Sequence, residues 1–161
     1  IQIPKEYYVF CGRMDRRKEI FELLTHWKDY NTKRKESNYL LLIGPIIDAR
    51  IGFLIEENLE YFKHIEWAAG NTLSTYLHNS KGVLFPGTHS TLWEWAMGMG
   101  KIIYTRRNYY EGINIDNMNM KVLESSMRDY VDDILSNRSS NKVFEMKDYN
   151  YSNIAKKALT W

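Results

Sequence analysis

Short apolar runs that stop at glycine or proline, each followed by a stretch of helical periodicity, recur along this chain and constrain its fold more than any other feature. The run Asn38-Tyr39-Leu40-Leu41-Leu42-Ile43 ends at Gly44-Pro45. Having no polar alternation, it reads as a central strand covered on both faces. Tyr7-Tyr8-Val9-Phe10-Cys11 stops at Gly12 and precedes Ile20, Phe21, Leu23, Leu24 and Trp27 at helical spacing, which makes strand, loop, helix. Residues 51–62 carry mixed helical periodicity, residues 64–68 read as a third strand, and a helix runs through Leu73, Tyr76 and Leu77. Val83-Leu84-Phe85 ends at Pro86-Gly87, residues 92–99 read as helix, residues 101–104 as strand and residues 120–123 as a last strand. Ser125 or Ser126 is placed to cap a helix through Met127, Tyr130, Val131, Ile134 and Leu135. Residues 136–141 are polar and loop-like, and a final helix is expected over residues 151–161. Strands alternating with helices imply βαβ units. The expected class is α/β, a Rossmann-like parallel sheet with helices on both faces.

A length of 161 residues, 44% of them hydrophobic, suits a single domain over 1–161 with a sizeable core. Charged residues make up 26%, mean hydropathy is −0.50, and no apolar run approaches the roughly 20 residues that span a bilayer. A transmembrane helix is therefore not expected. The single cysteine, Cys11, forms no internal disulfide and supports no structural zinc site, so the compartment reads as reducing and cytoplasmic. The chain opens Ile1-Gln2-Ile3-Pro4 without an initiator methionine, which reads as a piece of a longer chain. If that longer chain carries an anchor, the domain sits at the cytoplasmic face of a membrane. A net charge of +2 is too small to imply nucleic-acid binding, but its sign is uneven. Residues 1–35 hold nine Lys/Arg against five Asp/Glu, or +4, and the remainder thirteen against fifteen, or −2. With the basic residues interleaved among aromatic and aliphatic ones, a local anion site is the better reading than a polybasic tail.

In open parallel sheets, ligands bind outside the carboxyl ends of strands, and two of the loops there stand out. Gly12-Arg13-Met14-Asp15-Arg16-Arg17-Lys18 follows the first strand, with Asp15 as N-cap and three cations in the first turn of the coming helix. Positive charge there opposes the helix dipole unless an anion lies nearby; the competing reading is a solvated basic face. The second loop, Pro86-Gly87-Thr88-His89-Ser90-Thr91-Leu92-Trp93-Glu94, joins a strand to a helix. Its backbone N–H groups can approach an anion, and Glu94 can accept hydrogen bonds from a ribose diol. The competing reading there is a Ser90 cap with Glu94 complementing the dipole.

Gly12-Arg13 with Lys18 resembles the G-R-x-x-x-x-K segment that opens the C-terminal domain of retaining GT-B glycosyltransferases. Ser90-Thr91-Leu92-Trp93-Glu94-Trp95-Ala96, then Gly98 or Gly100 and Lys101-Ile102-Ile103, is similar to the S-T-x-x-E-x-A…G-x-P-x-I segment of nucleotide-sugar enzymes of that fold. The resemblance covers nearly the whole chain. It implies one half of a GT-B fold, with Gly12, Arg13, Lys18, Ser90 and Thr91 at the donor diphosphate and Glu94 at the ribose. Pro86 stands where the family's E-x7-E motif has its earlier Glu, as in GT-B relatives that lack that residue. The implied activity is glycosyl transfer, in polysaccharide biosynthesis, from a nucleoside diphosphate sugar such as a UDP or GDP sugar. The glycan or lipid-linked acceptor would be held by an N-terminal domain of the same chain. No catalytic acid or base is assignable, no metal or other cofactor is implied, and the isolated domain is expected to be inactive. A GT-B nucleotide-sugar epimerase is a rival enzyme reading, and a phosphate-binding α/β interaction module is a rival outside catalysis.

Other residues read as structural. His89 reads as a surface or capping residue, with a phosphate contact as the competing reading, and His26, His64 and His78 lack the spacing of a metal site. Trp93, Trp95, Met97 and Met99 read as packing residues, as does Trp67, whose alternative by the resemblance is a place beside the base; Cys11 reads as buried and inert, and the Arg106-Arg107 pair as solvated charge, with contact to donor or acceptor as the competing reading.

Overall fold

The computed structural model describes residues 3–68, 70–88, 92–106, 120–123, 126–136 and the backbone of 143–144. Among the described residues, seven strands form one sheet: β1 (Tyr8–Cys11), β2 (Leu40–Ile43), β3 (Phe62–Ile65), β4 (Val83–Phe85), β5 (Ile103–Arg106), β6 (Met120–Leu123) and β7 (Val143–Phe144). Their order is β3-β2-β1-β4-β5-β6-β7. The first six are mutually parallel, and β7 runs antiparallel to β6. The helices are α1 (Ile20–Arg34), α2 (Ala49–Glu56), α3 (Gly70–Asn79), α4 (Leu92–Gly98) and α5 (Met127–Ser136). α1 packs against α2 and α5. The chain runs outward to β3 and then back past β1 to β4, and with the right-handed crossovers of parallel sheets that reversal assigns α3 and α4 to the opposite face. The expected doubly covered parallel sheet is what forms. Among the described residues, no helix is long and apolar enough to cross a membrane.

Burial on both faces explains why the strands lack alternation: every residue of β1, β2, β4 and β5 is buried. Trp27 and Trp93 are fully buried, one from α1 and one from α4. Tyr8 of β1 meets Trp27 edge to face at 5.5 Å between ring centroids. Cys11 lies fully inside, and burial pushes its thiol up to about 12, so no thiolate forms at neutral pH.

Several boundaries differ from the sequence expectation. β3 begins two residues earlier, with Phe62 paired to Leu40, and Trp67 lies beyond its end, 59% exposed. Trp67 is thus not a packing residue, whereas Trp93 and Met97 are fully buried and Trp95 and Met99 pack partly exposed against the core. α2 stops at Glu56 because Asn58 redirects the chain. Its side chain donates to the Leu54 carbonyl at 2.8 Å, and its own carbonyl accepts from Tyr61 and Phe62. β5 starts at Ile103 rather than Lys101, whose Nζ instead donates to the Ser80 carbonyl at 2.8 Å. α5 begins as expected, with Ser126 Oγ accepting from the Asp129 N–H. The helix expected over 151–161 lies outside the described residues.

Candidate functional site

The strand order reverses between β1 and β4, and at such a switch point the loops leaving the two strands diverge to opposite faces and open a crevice. Here the loops after β1 and β4 meet. Residues 16–18 form a separate turn of 3-10 helix, with Asp15 as N-cap accepting from the Arg17 N–H at 3.0 Å. The three cations therefore do not occupy the first turn of α1, as the sequence suggested. Glu19 intervenes with φ 55° and ψ 37°, a left-handed conformation that ends the 3-10 turn and restarts the chain as α1 at Ile20. α1 then has Glu22 in its first turn, in accord with its dipole.

Gly87 lets the second loop come against this turn. A Cβ there would stand 2.3 Å from the Arg17 carbonyl oxygen and 2.5 Å from the Lys18 Cα, distances that no side chain tolerates. Thr88 seals the contact: its N–H donates to the Arg17 carbonyl at 3.2 Å, and its carbonyl accepts from Lys18 Nζ at 3.2 Å. The β2 exit is drawn in as well. A Cβ on Gly44 would lie 2.0 Å from the Gly12 carbonyl oxygen, and the Met14 carbonyl accepts from the N–H groups of Ile47 and Asp48. The β1 loop is thus pinned from both sides, and its cations have a fixed platform.

Among the expected site residues, Gly12 and Arg13 lie at the β1 exit, with Arg13 exposed. Lys18 is half-buried at the end of the 3-10 turn; burial pushes its pKa below the usual lysine range, with Arg17 adding to that push and Asp15 opposing it. Lys18 and the loop leading to Ser90 are therefore brought together. Ser90 and Thr91, like His89, lie outside the described residues. Glu94 sits in the first turn of α4 and is fully buried, an uncommon place for a glutamate. Arg16 and Arg17 are exposed, and Arg17 pairs with Asp15 at 3.3 Å across a solvent-facing surface, a contact of little energetic weight.

Arg106 differs most from its sequence reading. It closes β5 and is buried rather than solvated, with Nη1 donating to Glu19 Oε2 at 2.8 Å and to the Pro86 carbonyl at 3.2 Å. Arg107 lies outside the described residues. An arginine ending the run Ile102-Ile103-Tyr104-Thr105, with Glu19 directly after the Arg16-Arg17-Lys18 cluster, was the available signal. Among the described residues, no group of three or more His, Cys, Asp or Glu is arranged to hold a metal ion. His64 instead lies with Nε2 2.7 Å from the Gly44 carbonyl oxygen, holding β3 to the β2 exit.

No protein-family model matches this chain, and no curated protein sequence does. Solved structures do match in fold. AviGT4, a glycosyltransferase involved in avilamycin A biosynthesis, superposes with a TM-score of 0.67 at 14% identity, over 96% of this chain and 49% of AviGT4. TarM superposes with a TM-score of 0.66 at 17% identity, over 99% of this chain and 35% of TarM. The C-terminal domain of a glycosyl transferase group 1 family protein (LpcC) from Francisella tularensis gives 0.58 at 12% identity, over 94% of this chain and 85% of that domain. The chain spans about half the length of AviGT4 and about a third of TarM. Its fold is that of a Rossmann-like, GT-B-type half-domain.

Proposed function

We propose that this chain is the donor half of a glycosyltransferase, the C-terminal domain of a two-domain enzyme that binds a nucleoside diphosphate sugar. The observation that carries the reading is the meeting of the Lys18-bearing turn with the Gly87-Thr88 loop at the switch point of the sheet. Two strand exits converge there on one ammonium group, with Arg13 and Arg16 exposed beside it. A diphosphate accounts for such surplus positive charge, and fold similarity to glycosyltransferases supports the sugar nucleotide as its carrier.

In this reading Gly12, Arg13, Lys18, Ser90 and Thr91 receive the diphosphate, and Glu94 receives the ribose. Bond cleavage at the sugar leaves negative charge on the departing diphosphate. Cations already fixed in place stabilise that charge without reorganising at the moment of reaction. The side chains supply this stabilisation without a divalent metal, and the acceptor approaches from an N-terminal domain across the crevice. Calorimetry of the intact protein with UDP and GDP tests the reading. Saturable binding of one of them, in preference to inorganic phosphate, is expected. Binding of neither would end the proposal, and phosphate binding as tight as that of the nucleotides would favour an anion-binding interaction module.

A further inference from the structure

We propose that Arg106 is a positioning residue for the diphosphate site, acting through Glu19 and Pro86 to orient the Lys18 ammonium. The inference rests on the donor-site reading above and adds to it a residue from a third strand exit. Arg106 is only 7% exposed, so its charge serves the protein interior rather than a ligand in solvent. Glu19 and Pro86, both of which accept from its guanidinium, are the pieces that set the direction of Lys18. Glu19 is the hinge between the 3-10 turn and α1, and a non-glycine residue stays at φ 55° only where its surroundings hold it there. The Glu19 N–H is held by the Arg16 carbonyl at 3.2 Å, and its carboxylate by Arg106 at 2.8 Å. Pro86 opens the loop on which Lys18 rests through Thr88, and its carbonyl is held by the same guanidinium nitrogen. One buried cation thereby couples the hinge to the platform, and loosening it frees the turn to carry Lys18 away from its place.

Glu19→Gly separates this role from backbone support, because glycine adopts the left-handed conformation readily while losing the tether to Arg106. Arg106→Met removes the tether from the other side. In the intact protein, each variant should weaken binding of UDP or GDP, whichever the wild type takes, roughly tenfold by calorimetry. Repeating both changes on a Lys18→Ala background supplies the readout that a merely structural role would not move. If Arg106 acts through Lys18, the tenfold loss shrinks there to less than about twofold. Wild-type affinity in folded Glu19→Gly protein overturns the proposal, as does a full tenfold loss that persists without Lys18. Should Arg106→Met fail to fold, Glu19→Gly decides alone. A wild type that binds neither nucleotide refutes the donor-site reading itself, which is a different outcome from nucleotide binding indifferent to Glu19.

Discussion

At the end of the sheet where the parallel strands begin, polar side chains close the fold on itself. Fully buried Asn31 donates to the carbonyls of Trp27 and Asn38, and its Oδ1 accepts from the Asn38 backbone N–H at 2.8 Å, fastening α1 to the start of β2. Lys101 Nζ fastens the start of β5 to the Ser80 carbonyl, and the Lys81 N–H donates to the Tyr7 carbonyl beside β1. At the opposite end, where the strands finish, polar groups also bridge loops, but positive charge is left in excess. Arg13, Arg16 and Arg17 face solvent there, with Asp15 the acidic partner of Arg17. Polar groups used internally should register in stability when altered, whereas cations left over should register in binding.

The largest expected effect lies at the closed end. Asn31→Ala strips partners from the Asn38 N–H and leaves polar groups unsatisfied in the interior, so unfolding free energy should fall by about 2–3 kcal/mol. Denaturant titration measures that loss, while nucleotide affinity of the folded fraction should stay at the wild-type value. A drop in affinity equal to the drop in stability would erase the distinction between the two ends.

Lys18→Ala makes the mirror-image test. Diphosphate affinity should fall by about 1.5–3 kcal/mol, as for a charge-assisted hydrogen bond in a partly desolvated place, with a smaller loss of stability from the Thr88 carbonyl that Lys18 no longer holds. Arg13→Ala should cost less, because Arg13 is exposed and solvent screens it. pH sharpens the test. Burial holds folded Lys18 below the ordinary lysine value of 10.5, so between its folded and unfolded pKa values the unfolded chain binds more protons. Stability from this group therefore rises with pH across that window. Binding moves the opposite way, since only the ammonium attracts the diphosphate. Affinity should begin to fall below pH 10.5, and Lys18→Arg should flatten that decline, as calorimetry across the alkaline range would show.

The same contrast explains what could be read from the sequence. β4 over Val83–Phe85 was legible to the residue, since an apolar run buried on both faces needs only its own composition to mark it, and β6 fell on the expected Met120–Leu123 although the half-buried Lys121 interrupts its run. That the loops after β1 and β4 face one crevice was legible too, because loops leaving parallel strands share one edge of the sheet, but the adjacency of β1 and β4 came only from the strand order. The left-handed Glu19 was not. Local preference argues against it, and Arg106, the partner of its carboxylate, lies 87 positions away. Arg106 looked like surface charge for the same reason. Trp67 misled in the other direction: an aromatic beside an apolar pair drew the expected strand toward 64–68, while the ladder to β2 ended at Ile65. β7 spans two residues, too few to carry a period.

Glu94 stands between the two behaviours, since it is as buried as Asn31 yet lies in the helix that follows the β4 exit loop. A purely dipolar role at the first turn predicts that Glu94→Gln lowers stability by roughly 0.3–1 kcal/mol and leaves binding intact. A ribose role predicts that affinity falls for UDP or GDP more than for the corresponding 2′,3′-dideoxynucleotides, because only the diol donates to the carboxylate. Measuring both ligands against wild type and variant closes a double cycle, in which the coupling between carboxylate and diol is the quantity of interest. Equal losses for ribo and dideoxy ligands would move Glu94 to the closed, structural side of the comparison. A selective loss would place the solvent-excluded carboxylate with the cations at the open end.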